Sequence, residues 1–323
     1  MISPNNIKLF SIHNSRIERI FSNFGFRVFS SNFLQYDEKT YDKKFKKLLN
    51  EVKIIQPHIF YFFKDEYLPS KFFRALRAEL PNTKFVMRFW DQRGCVSDVV
   101  HARKGCIDAM IINNRDPYQY KMYKDFGIKD VYTLYNMVDE NVFLSVDAVR
   151  AHEVFFGGSN YNKKFPLSKF RFDLITSLRK KFKTEIYGDG WPFLCKNIVR
   201  RSAYSDALQS ATVNIGVNHY EVHKYYSERT IQNMASGRLH ITHYILGMEE
   251  DFGENHTNLV WFKSIPECED LVSFYLKNGR SRKKIERSGR QLVLTKFGIK
   301  NWTMIFSNIL YRVLGRNVPI CDY

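Results

Sequence analysis

Tyr225-Tyr-Ser-Glu-Arg-Thr-Ile-Gln-Asn-Met-Ala-Ser-Gly237, followed at once by Leu239-His-Ile-Thr242, decides how this chain is read. Ser227 has the side chain of a helix N-cap, and Gly237 stands just past the last helical position, where a left-handed terminator is favoured. Met234 and Ala235 take the inward face between them. A short capped helix followed by a short apolar strand is one αβ unit of a parallel sheet. Arg229 and Gln232 are three residues apart and share a helix face. A guanidinium in the first turn can neutralise a diphosphate, and an amide one turn later can hydrogen-bond a ribose hydroxyl. An ordinary capped helix with a solvated Arg229 has the same pattern.

The rhythm continues in both directions from this unit. Upstream, the strand Glu153–Phe156 runs into Gly157-Gly158-Ser159, and Leu167–Phe182 reads as a helix. Thr184–Tyr187 is a strand closed by Gly188-Asp189-Gly190 and Trp191, then a helix Ser205–Ala211 leads to a strand Thr212–Val217. Downstream come a strand Leu259–Phe262, helices starting at Glu267 and Ser281, and a last helix Asn301–Leu314 with Trp302, Ile305, Ile309 and Val313 on one stripe. An earlier series has its own strands at Ile7–Ile12, Arg27–Ser30, His58–Phe63, Lys84–Trp90, Cys106–Ile112 and Val131–Leu134. Its helices are Arg16–Phe24, Tyr41–Ile54, Lys71–Leu80 and Pro117–Phe126. His58-Ile-Phe-Tyr-Phe-Phe63 is continuously apolar, as a strand buried on both faces of a parallel sheet must be. The expectation is an α/β chain of two doubly wound domains, with the boundary near Ser145–Ala151. Residues 1–148 form one domain, 149–300 the second, and 301–323 a C-terminal helix packing back towards the first. Ligands in such folds bind at the carboxyl ends of the strands.

Bulk properties fit that division. The 323 residues suit two domains of ~150 each. Hydrophobic residues are 44% of the chain and aromatics 16%, which excludes a disordered chain. No apolar run reaches the ~18 residues of a membrane span, and the N-terminus lacks the basic-then-apolar order of a signal peptide. A cytoplasmic protein is expected. Five cysteines without metal-ligand spacing argue against a disulfide or zinc framework. The net charge of +17 lies in both halves and raises encounter rates with polyanions.

Four features can carry chemistry. The Gly157-Gly158-Ser159 loop would let backbone amides approach a phosphate, with Lys163 and Lys164 supplying charge. The Gly188-Asp189-Gly190-Trp191 turn places an aromatic ring where a nucleobase could lie. Ser227, Arg229 and Gln232 form the third group. Asp91, at the end of a strand in the first domain, could take a proton from an acceptor hydroxyl. No hydrolase triad, zinc-binding helix or nucleotide P-loop pattern stands out, and the histidines are too scattered for a metal site.

Tyr204-Ser-Asp-Ala-Leu208, Ser227-Glu-Arg229, Asn233-Met-Ala-Ser-Gly237, Ile241-Thr242, Gly247-Met-Glu-Glu-Asp-Phe252 and Leu259-Val-Trp-Phe262 together resemble the glycosyltransferases related to spore maturation proteins. That resemblance implies the GT-B fold, in which two Rossmann-like doubly wound domains face a central cleft. A more distant likeness is to phage DNA β-glucosyltransferases, carried by Gly157–Ser159, by Arg229-Thr-Ile-Gln-Asn-Met-Ala-Ser236 and by Trp90-Asp-Gln-Arg93. By that resemblance Asp91 would be the catalytic base, Arg229 would meet the diphosphate and Gln232 the ribose. Both groups place Glu where this chain has Gln232, and the residue eight before it is Lys224, so the paired glutamates of retaining enzymes are missing. The pattern points to inversion through Asp91.

The resemblance implies transfer of a sugar from a nucleotide-diphosphate sugar, a UDP-sugar first of all, to a hydroxyl acceptor. The donor would occupy the C-terminal domain and the acceptor the N-terminal one. No permanently bound cofactor or metal is expected, and dependence on a divalent ion stays open. A hydroxymethylated base in duplex DNA suits the charge and the phage likeness. A cell-surface or lipid-linked anionic glycan is the alternative acceptor. A GT-B-fold protein that binds nucleotide sugar or DNA without turnover is the alternative of another class.

Overall fold

The computed structural model describes residues 7–12, 26–31, 41–63, 69–89, 91, 94–143, 149–162, 164–193, 195–197 and 202–319. The chain divides into two compact units, Met1–Leu134 with Trp302–Asp322, and Tyr135–Asn301. The helix expected over Arg16–Phe24 and much of the expected boundary lie outside the described residues.

The first unit holds six parallel strands: β1 (Ile7–Ile12), β2 (Phe26–Ser31), β3 (Ile59–Phe63), β4 (Lys84–Arg88), β5 (Ala109–Ile112) and β6 (Asp130–Thr133). Their order is β2-β1-β3-β4-β5-β6. The period of two along β3 explains its continuous apolar run. Phe60 and Phe62 point to the layer containing Phe72 and Phe73 of the helix Ser70–Glu79. Tyr61 points the other way and meets Phe306 at 5.0 Å between ring centroids. Phe306 belongs to the last helix, Ile299–Val313, whose residues from Trp302 onward are part of this unit. Arg88 lies over the Trp302 ring on the same layer. The strand expected from Cys106 starts only at Ala109, because 102–106 are turns that bury Arg103 with its guanidinium 4.3 Å from the Phe73 ring centre.

The second unit holds five parallel strands: β7 (His152–Gly157), β8 (Thr184–Tyr187), β9 (Ala211–Gly216), β10 (Leu239–His243) and β11 (Val260–Phe262). Their order is β11-β10-β9-β7-β8. Strand β7 therefore has β8 on one side and β9 on the other, and the chain changes direction across the sheet at the β7/β9 pair. Such a switch point opens a crevice at the strands' carboxyl ends. One layer includes the helix α5 (Ser168–Lys181) through Leu174, Ile175 and Leu178. The other includes α7 (Glu228–Ala235) through Ile231, Met234 and Ala235. For these labels, helices count from Tyr41–Ile55 as α1, through Ser70–Glu79, Asp98–His101 and Pro117–Asp125. The four-residue helix at Asp98 and the five-residue helix Met248–Phe252 were not expected, being too short to show a helical period.

Strand β10 is buried throughout although it carries His240, Thr242 and His243. His240 fits because Gly216 beside it has no Cβ; one built there would lie 2.5 Å from the imidazole Cε1. Its Nδ1 lies 3.1 Å from the Asn214 carbonyl and 3.2 Å from Asn233 Nδ2. A buried imidazole is tolerated when neutral and hydrogen-bonded, and burial lowers this one to about 4.

Candidate functional site

A concentration of unbalanced positive charge lies at the switch point of the second sheet. Strand β7 runs there through Gly157 into Gly158-Ser159-Asn160, and β9 runs there into Val217-Asn218-His219. Arg171, from the first turn of α5, joins the two loops. Its Nη1 donates to the Ser159 carbonyl at 3.0 Å and its Nη2 to the Val217 carbonyl at 2.5 Å. The residue is 2% exposed, and its Nε–H has no partner among the described residues. A guanidinium buried on backbone carbonyls alone keeps its full positive charge, because dipoles hold it without neutralising it.

The groups around it add to that charge. Burial first, with Arg229 next, pulls the Arg171 guanidinium down to about 9. Burial first, then Arg171, Arg229 and Lys164, pull the His219 imidazole down to about 3. Every ionic group acting on these two is cationic at neutral pH. Among the described residues Arg229 and Lys164 form no ion pair; the Lys164 ammonium lies only over the rings of Tyr161 and Phe165. Buried or clustered charge is normally paired. Three cations around one crevice, with no carboxylate acting on Arg171 or His219, fit an anionic ligand.

The two glycine turns expected to cradle a ligand pack on each other. Gly158 N–H donates to the Tyr187 carbonyl at 2.7 Å, and Asn160 N–H to the Asp189 carbonyl at 2.8 Å. A Cβ on Gly188, whose φ is +148°, would stand 2.3 Å from the Gly158 carbonyl oxygen. One on Gly190 would stand 2.4 Å from the Asn160 oxygen, and one on Gly157 2.7 Å from the Tyr204 hydroxyl. Gly188 and Gly190 thus serve close approach of backbone to backbone, and Gly157 makes room for the Tyr204 side chain, besides whatever they offer a ligand. The Ser159 hydroxyl accepts from Asp189 N–H at 3.2 Å. Trp191 is 8% exposed, donates its indole N–H to Gly158 O at 2.9 Å and packs with Phe156, Phe172 and Phe193. Those contacts make it a support of the glycine loop.

Helix α7 enters the site at its N-terminus. Ser227 is the N-cap residue by backbone geometry, yet its hydroxyl makes no cap bond; its N–H donates to Asn218 Oδ1 at 2.9 Å instead. The α7 amides therefore lack the side-chain acceptor expected of this serine. Gln232 does not stand alone: its Nε2 donates to Glu228 Oε1 at 2.7 Å. A carboxylate is thus held one turn before Gln232. Lys163 lies outside the described residues. Asp91 belongs to the first unit, three residues beyond β4, and is half-buried. Arg171 and His219 escaped the sequence reading. Arg171 had left a signal: it falls on the apolar stripe of α5 with Leu174, Ile175 and Leu178, where a cation needs an explanation. His219 left none.

No group of three or more histidine, cysteine or acidic side chains able to hold a metal ion occurs among the described residues. Cys95, Cys106, Cys195 and Cys268 are unpaired. No described helix is long and apolar enough to cross a membrane.

Comparison with solved structures settles the architecture. A sucrose-phosphate synthase from Thermosynechococcus elongatus aligns over 96% of this chain and 100% of its own, with a TM-score of 0.66 at 8% identity. Anabaena HepE in complex with UDP-glucose aligns over 95% and 100%, with a TM-score of 0.62 at 9% identity. The fold is GT-B. A glycosyltransferase from Rickettsia africae aligns over 97% and 100%, with a TM-score of 0.58 at 12% identity. By sequence, residues 171–306 match the family described as glycosyl transferase-like. The matched segment opens on Arg171 and covers most of the second unit. No curated protein matches the sequence significantly. Family match and fold together support a glycosyltransferase.

Proposed function

We propose that the protein transfers a sugar from a UDP-sugar, whose diphosphate is held at the β7/β9 switch point. The observation that carries this reading is the cluster of Arg171, Arg229 and Lys164 without a counter-carboxylate. Leaving-group charge develops on the diphosphate as the glycosidic bond breaks, and fixed cations there favour the transition state over the ground state. Arg229 and Lys164, with Lys163 adjacent in sequence, would contact the phosphates, and Arg171 would fix the loops. Gly157, Gly158 and Ser159 follow β7 and Ser227 precedes α7, so their backbone and the Ser227 hydroxyl would face the same phosphates, apart from the Gly158 N–H, which is held by the Tyr187 carbonyl. Gln232 would act at the ribose together with the Glu228 carboxylate it holds. Gly188, Asp189 and Trp191 would keep the loop in shape. HepE, solved with UDP-glucose, supports uridine as the nucleotide.

Asp91 is proposed as the base on the acceptor side. Its carboxylate would take the acceptor hydroxyl proton as that oxygen bonds to the anomeric carbon, while the electron pair of the broken C–O bond leaves on the diphosphate. Its place beyond the carboxyl end of β4 supports the role. The net charge of +17 supports a polyanionic acceptor, as does the exposed row Arg280, Lys283, Lys284 and Arg287 on the helix Gly279–Phe297. Duplex DNA with hydroxymethylated bases and an anionic lipid-linked glycan are the two acceptors of that class.

The test is release of UDP from a panel of UDP-sugars with each acceptor. Release that needs the modified DNA assigns a DNA-modifying enzyme, and release that needs the glycan assigns an envelope enzyme. Loss of release in Asp91→Ala, with UDP binding kept, supports the base. Binding of UDP-sugar with no turnover on either acceptor would favour a non-catalytic binding protein, and no binding at all would refute the donor site.

A further inference from the structure

We propose that His219 takes up a proton when the donor binds and holds a phosphate oxygen through the N–H so formed. This rests on the donor site proposed above. His219 follows β9 at the switch point, and its carbonyl accepts the Leu167 N–H at 3.2 Å, which ties it to the start of α5. Its ring lies between aromatic neighbours, with centroids 4.3 Å from Phe165 and 5.3 Å from Tyr161. Neither ring nitrogen has a hydrogen-bond partner among the described residues. The charged and titratable groups facing it come from every neighbouring element: Lys164 and Tyr161 from the loop before α5, Arg171 from α5 and Arg229 from α7. Tyr220 and Tyr225 lie beyond, on its own loop.

An imidazole held among three cations is neutral in the empty protein, in keeping with its lowered pKa of about 3. A diphosphate reverses the sign of that field. It neutralises the same three cations and brings acceptor oxygens into a site that has donors only. Both changes favour the charged imidazolium, the second because a phosphate rewards an ionised donor. The balance is simple. One proton passes from solvent to the imidazole on binding, the imidazolium N–H donates to phosphate, and the proton returns to solvent when the diphosphate leaves. A merely structural His219, wedged between rings, would change none of these quantities.

The decisive measurement is calorimetric titration with UDP-glucose near pH 6 in buffers of different ionisation enthalpy. UDP-glucose is the right probe because its phosphates are diesters and do not titrate in this range. The wild-type protein should take up a substantial fraction of one proton per molecule bound, and His219→Gln should take up none. Affinity of the wild type should weaken by about tenfold from pH 6 to pH 8, whereas His219→Gln should be flat. His219→Asn serves as a second variant, and unchanged melting temperatures establish that both are folded. UDP-glucose binding without proton uptake by the wild type, or with equal uptake by the variants, would overturn the inference and leave the donor site standing. Absence of binding by the wild type would remove the donor site and this inference together.

Discussion

The two edges of the second sheet treat buried charge in opposite ways. Towards the amino ends of its strands, Glu185 is 7% exposed and balanced by charge: His152 Nε2 stands 3.0 Å away, the Lys196 ammonium is beside it, and Ser210 Oγ donates at 3.3 Å. At the carboxyl ends, Arg171 is as deeply buried, but its neighbours are Arg229, Lys164 and His219. The first edge is a closed polar network that stabilises the fold. The second is held in place by carbonyls and keeps its charge available. A network completed within the protein has no reason to bind anything, whereas an unbalanced one is stabilised by a ligand of the missing sign.

That contrast can be broken in several places. The largest effect is expected at Gly188, where a Cβ would collide with the Gly158 carbonyl. Gly188→Ala should cost about 3–5 kcal/mol, read as a lower denaturation midpoint, with donor binding lost along with the loop. His240 gives the next. Its folded pKa is about 4 against an ordinary 6.5, so its contribution is complete above about pH 6.5 and is lost as pH falls towards 4. Roughly 3 kcal/mol of stability should disappear over that window, seen as a melting temperature that declines with acidification. A stability flat between those pH values would mean that the imidazole is not held neutral.

Arg229→Ala tests the unbalanced edge directly. Turnover of UDP-sugar should fall by about 100-fold with little change in melting temperature, since Arg229 makes no ion pair. A stability loss without an activity loss would make it a structural residue and erase the contrast. Glu185→Gln should do the reverse, costing about 1–2 kcal/mol of stability while donor affinity stays within twofold. Trp191→Phe is the smallest. It removes the bond to Gly158 O at about 1 kcal/mol and leaves UDP affinity nearly unchanged. A large loss of UDP affinity there would return the indole to the nucleobase.

Much of the fold is legible in the amino-acid sequence. Strand β3 has to be buried on both faces because it offers no charged side chain and only the Tyr61 hydroxyl to water, and it lies between β1 and β4 in the sheet. The site is legible only in part. Arg229, Gln232 and the glycine turns stand out because short loops between a strand and a helix leave local marks. The Gly158–Gly188 approach joins residues thirty positions apart, and a glycine required by a distant carbonyl looks in sequence like one required by a phosphate.

Local periodicity and capping by themselves determined the two α/β series, since hydrogen bonding and burial there act over a few residues. Tertiary structure alone decided which loops meet at the switch point. It placed Arg171 between the Ser159 and Val217 carbonyls and His219 among three cations. The physical reason is that charge acts through space. Whether a cation is balanced depends on every group that the fold brings within a few ångströms of it, and no stretch of sequence contains that neighbourhood.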